Sequence, residues 1–291
     1  MAVSMQAHEA PRPWQRISFA KIMGYLAMIA MVAIIGAPVF WMITGALKST
    51  QQIYTFPPVW IPTDPQWNNF SRAWNAAPFD RFYINSLIIT FAGTGLELTN
   101  ATMTAYALAF LRFPGKNIVF LIILATLMIP AQVTIIPNYL TIADFLGQNW
   151  VNTYQGIILP GAAVAFGTFL LRQAFLSMPR EVLDAAKLDG CGHFRLLWDH
   201  VIPMSRPVLI TFALISMVAK WNDYLWPLVV TNEQDMRPLA VGVSYLFNPE
   251  GNTDWGMVMA ATFFVIAPLV AVFIWAQRYI IEGITAGATK G

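Results

Sequence analysis

Charge is what this sequence has least of. Asp, Glu, Lys and Arg make up 11% of its 291 residues, under half of the roughly 25% usual in soluble domains. Hydrophobic residues reach 57% and mean hydropathy is +0.56, the composition of a membrane protein. A net charge of +2 excludes the broad basic face that nucleic acid requires. One cysteine, Cys191, excludes an internal disulfide, and three scattered histidines, His8, His193 and His200, offer no metal-ligand spacing. Low-complexity tracts and short-period repeats are also missing. An enzyme working at membrane depth needs a catalytic constellation there. No histidine lies in a long apolar run, and Glu97 and Asp223 lack an evident third partner.

Six apolar runs are present, at residues 22–47, 84–111, 117–137, 154–176, 206–230 and 257–280. Each is near the roughly 20 residues that cross a bilayer core as a helix. The first follows Arg12, Arg16 and Lys21 but outruns the roughly 7–15 apolar residues of a signal peptide. It reads as a retained first helix. The chain is therefore expected to be an all-α, polytopic membrane protein with six transmembrane helices.

The basic residues set the sides. With the N-terminus inside, Arg12, Arg16, Lys21, Arg112, Lys116, Arg172, Arg180, Lys187, Arg195, Arg206, Arg278 and Lys290 fall on cytoplasmic segments. Only Lys48, Arg72, Arg81 and Arg237 fall outside, and Lys220 lies within a span. That asymmetry puts both termini in the cytoplasm. The expected layout is a cytoplasmic segment 1–21, a first helix 22–47, an outer loop 48–83, a core membrane domain 84–280 and a cytoplasmic tail 281–291. The outer stretch 50–82, with Pro57, Pro58, Pro62, Pro65, Pro78, Trp60, Trp67 and Trp74, suggests a structured cap. Residues 231–256 form a second, polar outer loop.

Polar groups at membrane depth mark sites. The second run carries Glu97 and Asn100, and the fifth carries Lys220, Trp221, Asn222, Asp223 and Tyr224. Lys220 has two structural options, pairing with Asp223 at (i, i+3) or with Glu97 across the bundle. The functional alternative is that these residues line a water-filled path for a polar solute.

Most of the charge sits in one cytoplasmic stretch, `MPREVLDAAKLDGCGHFRLLWDHVIPMSRP`, residues 178–207. Pro179 and Glu181 suit a helix start, helix formers run to Leu188, and Gly190 and Gly192 stop it. A second short helix is expected from His193 to His200, ended by Pro203 and Pro207. The element is an amphipathic pair with a sharp bend. Its mixed charge suits a protein partner better than a lipid surface, which favours a basic face.

Within it, `DAAKLDGCGHFRLLWDHVIPMSRP` resembles the EAA motif of inner-membrane permeases from binding-protein-dependent ABC importers. Asp184, Ala185 and Ala186 occupy the first three places, Gly190 the glycine, and Val201, Ile202 and Pro203 the close. Asp184 stands where glutamate is usual. `NSLIIT`, `AYALAFLRFPGK`, `MIPAQVTIIPNYL`, `WNDYLWPLVV` and `EGITAGATKG` also look like the carbohydrate-type, maltose-permease-like branch. The resemblance implies a type I ABC importer permease fold in the bacterial cytoplasmic (inner) membrane. Asp184, Ala185, Ala186, Gly190, Phe194 and Pro203 would then form the ATPase-coupling element. The implied partners are a second related permease, two cytoplasmic ATPase subunits, an external solute-binding protein and the lipid bilayer. No G-x-x-x-x-G-K-[ST] loop is present, so no cofactor is expected on this chain and ATP and Mg belong to the ATPase subunits. `WNDYLWPL` is close to the pattern of glycerol 3-phosphate and glycerophosphodiester importers, glycerophosphocholine among their cargoes. A disaccharide or oligosaccharide is the alternative, and a proton-coupled secondary transporter a more distant one.

Overall fold

The computed structural model describes residues 19–248, 251 and 253–288. Arg12, Arg16 and Lys290 lie outside the described residues, as does most of the expected cytoplasmic segment 1–21. Among the described residues helices dominate and no strand forms; Phe145 and Gln148 make an isolated bridge.

Two helices are apolar and long enough to cross a bilayer alone. They are α1 (Phe19–Ala46), over Lys21–Ala46, and the last helix (Trp255–Ala288), over Trp255–Gln277. These two pack along each other, and the rest of α1 faces outward. The proline- and tryptophan-rich segment after α1 is folded. It forms α2 (Thr50–Tyr54) and α3 (Asn68–Asn75). Asn69 donates to the carbonyls of Ala46 and Lys48 at 3.0 Å each, and Arg72 pairs with Asp254 at 2.8 Å. These bonds pin the cap onto the end of α1 and the start of the last helix.

The central post is α4 (Phe79–Phe110). Its 32 residues extend about 48 Å at the α-helical rise. Asn85, Ser86, Thr90, Thr94 and Glu97 are all buried on it, which is why it is too polar to stand alone in lipid and packs against protein instead.

The remaining runs, expected as continuous spans, are broken. The third divides into α5 (Lys116–Thr126) and α6 (Ala131–Ala143), bent by 102°. Pro130 cannot donate to a carbonyl of α5 and disfavours helix in the residue before it. The fourth becomes α7 (Tyr154–Ile158), a 3₁₀ turn at Leu159–Gly161 around Pro160, and α8 (Ala165–Leu176), with a 47° bend. Counting each bent pair as one span brings the candidate spans to five, and α4 stands beside them. Non-helical backbone at membrane depth is tolerated where protein or a wet cavity covers it, so the breaks point toward a cavity.

The charged stretch forms α9 (Arg180–Leu188), α10 (His193–Leu196), a π-helical turn at Leu197–Val201 and α11 (Ile202–Met204). The second short helix therefore does not run evenly to His200. Pro203 has no amide to give the carbonyl of Asp199, and its ring crowds that carbonyl, so the turn before it widens. An 82° bend leads into α12 (Arg206–Trp221). The fifth run then breaks at Asn222–Tyr224 before α13 (Leu225–Val230); α14 (Leu239–Gly242) lies in the polar segment 231–256, ahead of α15 (Trp255–Ala288).

Candidate functional site

Two sites emerge along α4 and α12. The first is the bend after α9. Leu183 and Ala186 are buried and join a cluster with Ala105 and Tyr106 of α4, Leu171 and Phe175 of α8, and Phe212 of α12. The outer face carries Asp184 and Ala185, both exposed. Asp184 pairs with Lys187 at 3.0 Å on the surface, a contact worth little by itself.

The helix ends in a Schellman motif. The Cys191 N–H donates to the Ala186 carbonyl at 3.1 Å and the Gly190 N–H to that of Lys187 at 3.0 Å. Gly190 has φ +80°, which a side chain would strain. Gly192 is different: at φ −68° and ψ 166° it is extended and caps α10. Only Gly190 uses the left-handed region at this bend. Phe194 and Trp198 stand largely in the open, and Pro203 sits partly buried behind the π turn. Sequence reading missed one link: the Tyr106 hydroxyl lies 3.1 Å from Nδ1 of His193. It joins the bend to the central post, and its only signal was a tyrosine in an apolar run.

The second site lies where the broken helices meet. Lys220 Nζ pairs with Glu97 Oε1 at 2.8 Å, so Lys220 reaches across the bundle rather than along its own helix to Asp223. Ser216 donates to the second Glu97 oxygen in a short hydrogen bond and lies 3.3 Å from Thr94 Oγ1. Gly93 makes this reach possible, since a Cβ there would stand 2.7 Å from Lys220 Cδ.

Beside the pair is a cavity of about 380 Å³, lined by Gln132, Thr134 and Asn138 of α6, Gly161, Lys220, Asp223 and Trp226 among others. Asp223 lies against the backbone N–H of Trp226 at the start of α13. Of the residues expected along a path, Lys220 and Asp223 line this cavity. Asn100 instead bonds the Ala162 carbonyl at 3.3 Å. Trp221 is buried, donating to the Val265 carbonyl at 2.9 Å. Asn222 bonds the Val218 carbonyl of its own helix, and Tyr224 is exposed. Gln132, Thr134 and Asn138 were missed; three polar side chains within one apolar run were the available signal. The cavity offers amides, a hydroxyl, a carboxylate and an indole, with its one lysine already compensated.

Comparison with known proteins identifies the family. Residues 98–285 match the family described as binding-protein-dependent transport system inner membrane component. The sn-glycerol-3-phosphate transport system permease protein UgpE of Yersinia enterocolitica serotype O:8 / biotype 1B is 35% identical over 267 residues, 89% of this chain and 94% of that protein. UgpE of Escherichia coli O1:K1 / APEC is 32% identical over 280 residues, 94% of this chain and 97% of that one. Among solved structures, a chain of a bacterial ABC transporter involved in the import of the acidic polysaccharide alginate superposes with TM-score 0.79. Identity to it is 24%, covering 93% of this chain and 99% of that one. A chain from the bacterial alginate ABC transporter in complex with an alginate pentasaccharide-bound periplasmic protein gives TM-score 0.61 at 13% identity, covering 91% and 96%. At these identities the solved structures establish the fold.

Proposed function

Because the chain belongs to the family of binding-protein-dependent transport system inner membrane components, we propose that it is one permease half of an ATP-driven importer of glycerol 3-phosphate. The observation that carries the cargo is the 35% identity to a glycerol-3-phosphate permease along 94% of that protein. The bend at α9–α10 is the element that docks on the ATPase. Its buried side, Leu183 and Ala186, is fixed to α4, α8 and α12, while Asp184, Ala185 and Phe194 are left for the partner. ATP and Mg belong to two cytoplasmic ATPase subunits. A second permease completes the pore, and an external solute-binding protein delivers the cargo. Six spans with both termini cytoplasmic remain the topology of this reading, with α4 as the polar post inside the bundle.

Inside the cavity, the Lys220 charge is met by Glu97, so a phosphate finds no uncompensated cation on this wall. The groups on offer, Asn138, Gln132, Thr134 and Asp223, suit the hydroxyl end of the cargo. The phosphate end falls to the second permease. A glycerophosphodiester such as glycerophosphocholine satisfies the same wall. A disaccharide or oligosaccharide is the second reading, favoured by the hydroxyl-binding groups of the lining, Gln132, Thr134, Asn138 and Asp223.

The test uses the complex purified through a tag on this chain, reconstituted in vesicles with its binding protein. ATP-dependent uptake of glycerol 3-phosphate, with ATP hydrolysis stimulated by the loaded binding protein, is expected. Uptake of disaccharide in place of glycerol 3-phosphate would move the assignment to the second reading. Uptake driven by a proton gradient without ATP would sink both.

A further inference from the structure

A second cavity, of about 290 Å³, adjoins the one beside Lys220. The two share Asn138 and Pro160 in their linings, which makes those residues the neck between them. Both also lie along one face of α6. Thr134, Asn138 and Thr141, at i, i+4 and i+7, fall in a row; Thr134 lines the Lys220 cavity and Thr141 the second. The threonine hydroxyls are each bonded to a carbonyl of α6 at 2.8 Å. The Asn138 amide makes no hydrogen bond with another described residue.

An aromatic wall stands beyond the end of α6. Phe145 and Gln148 exchange backbone hydrogen bonds at 2.9 and 3.1 Å across Leu146 and Gly147, both at positive φ, as in a tight type I′ turn. The Asp144 carboxylate accepts from the Gly147 N–H at 3.0 Å, and the Trp150 N–H donates to the Ile142 carbonyl at 2.7 Å. The chain is thereby turned back until the Phe145 and Trp150 ring centroids lie 4.3 Å apart. Both rings line the cavity.

Among the described residues no charged side chain lines this cavity, so it offers a phosphate no counterion. An acyl chain would leave the Asn138 amide without a partner at membrane depth, which is costly. A hydroxylated carbon skeleton uses both walls. Its hydroxyl exchanges hydrogen bonds with Asn138, and its C–H face lies against Phe145 and Trp150. An apolar lining with a few convergent polar groups is the pattern of small-molecule sites. Continuity with the Lys220 cavity through Asn138 and Pro160 makes the cargo itself the occupant.

We propose that the second cavity is a subsite for the uncharged, hydroxylated end of the cargo, joined to the Lys220 cavity through the Asn138–Pro160 neck. The proposal rests on the function proposed above, in which the Lys220 cavity is on the path. In that topology α6 runs toward the outer side, so the subsite receives cargo first.

The test uses the complex in lipid nanodiscs with loaded binding protein and ATP, in a Cys191→Ser background. Thr134→Cys reports on the Lys220 cavity and Thr141→Cys on the second. Each is treated with a water-soluble thiosulfonate, and modification is read as added mass on this chain. Both positions are expected to react, and cargo at about ten times its half-protecting concentration should slow each reaction roughly tenfold. Asn138→Leu removes no hydrogen bond within the chain, so it should keep the unfolding midpoint while raising the half-protecting concentration about fivefold, the loss of one neutral hydrogen bond. Protection at both positions by disaccharide rather than glycerol 3-phosphate supports the subsite and changes only the cargo. Protection at Thr134→Cys alone overturns the subsite and leaves the proposed function standing, whereas protection at neither position overturns both. Reaction of Thr141→Cys with a lipid-soluble maleimide only would make the second cavity a lipid contact, and resistance to both reagents would make it a contact with the second permease; either result overturns the proposal.

Discussion

Lys220→Met tests how the translocation cavity is built. It leaves the Glu97 carboxylate, 8% exposed, with Ser216 as its remaining donor. Removing one partner of a buried pair costs about 3–5 kcal/mol, because the other charge stays behind without its counterion. Replacing both partners with neutral groups of similar size is close to neutral. Glu97→Gln should therefore injure the protein much as Lys220→Met does. Glu97→Gln/Lys220→Met should be more stable than either by at least about 2 kcal/mol. At roughly 2–4 °C per kcal/mol for a chain of this size, each single substitution lowers the unfolding midpoint by on the order of 10 °C, and the double substitution restores more than half of it. The assay is thermal unfolding of the complex in lipid nanodiscs followed by tryptophan fluorescence, with uptake measured on the same samples. A double variant as unstable as the worse single one would refute the pair as a structural unit. If Lys220 instead gripped the cargo phosphate, Lys220→Met would keep the wild-type midpoint and lose uptake, with no rescue by Glu97→Gln.

Three further outcomes are expected. Gly190→Val should insert normally into the membrane but lose stimulation of ATP hydrolysis by loaded binding protein. The left-handed backbone costs a side chain about 1–2 kcal/mol, and open space around the Cβ leaves that as the whole penalty. Gly190→Asn should retain most of the stimulation, since asparagine tolerates this conformation, and normal stimulation in the valine variant would remove the bend from the coupling mechanism. Asp223→Asn should raise the KM for uptake by about tenfold, the difference between a charged and a neutral acceptor for one cargo hydroxyl, with the unfolding midpoint unchanged; an unaltered KM would take Asp223 off the path. Tyr106→Phe should weaken the tie to His193 by about 1 kcal/mol and lower cargo moved per ATP while leaving KM in place, and unchanged stoichiometry would reduce that tie to packing.

Much of this molecule is legible in its sequence because lipid restricts what a chain can do. The apolar runs mark where the long helices and the bent helix pairs lie, and the Gly190 turn is readable because one residue type alone enters that conformation freely. The partner of Lys220 was not readable. Asp223 is near it along the chain, and the competing Glu97 is reached only because Gly93 opens a passage across α4. The breaks were partly readable in Pro130 and Pro160, yet their consequence was not. A cavity arises from how bent helices meet, and Gln132, Thr134 and Asn138 take their meaning from facing Asp223 across it. Trp221 shows the converse: beside polar neighbours in a promising run, it is buried and bonded to the Val265 carbonyl.

The two sites share their supports, and that sharing bears on how work at one reaches the other. At the coupling end, Phe212 of α12 and Tyr106 of α4 belong to the cluster that holds Leu183 and Ala186 of α9. At the cavity end, the same two helices are joined by Lys220–Glu97 and Ser216–Glu97. Two helices tied at successive turns move as one body over that stretch, so on the proposed function a push at the bend would reach the cavity wall through α4 and α12 together. The facing wall is built differently: α5 and α6 meet at 102° and the α7–α8 passage bends by 47°, leaving short pieces around Pro130 and Pro160 with few internal bonds to resist rearrangement. A stiff lever against a segmented wall opens and closes a path without dismantling either helix. It also explains why the buried charge lies where it does, since an ion pair with a hydrogen-bonded serine fixes register between two helices more sharply than apolar packing can.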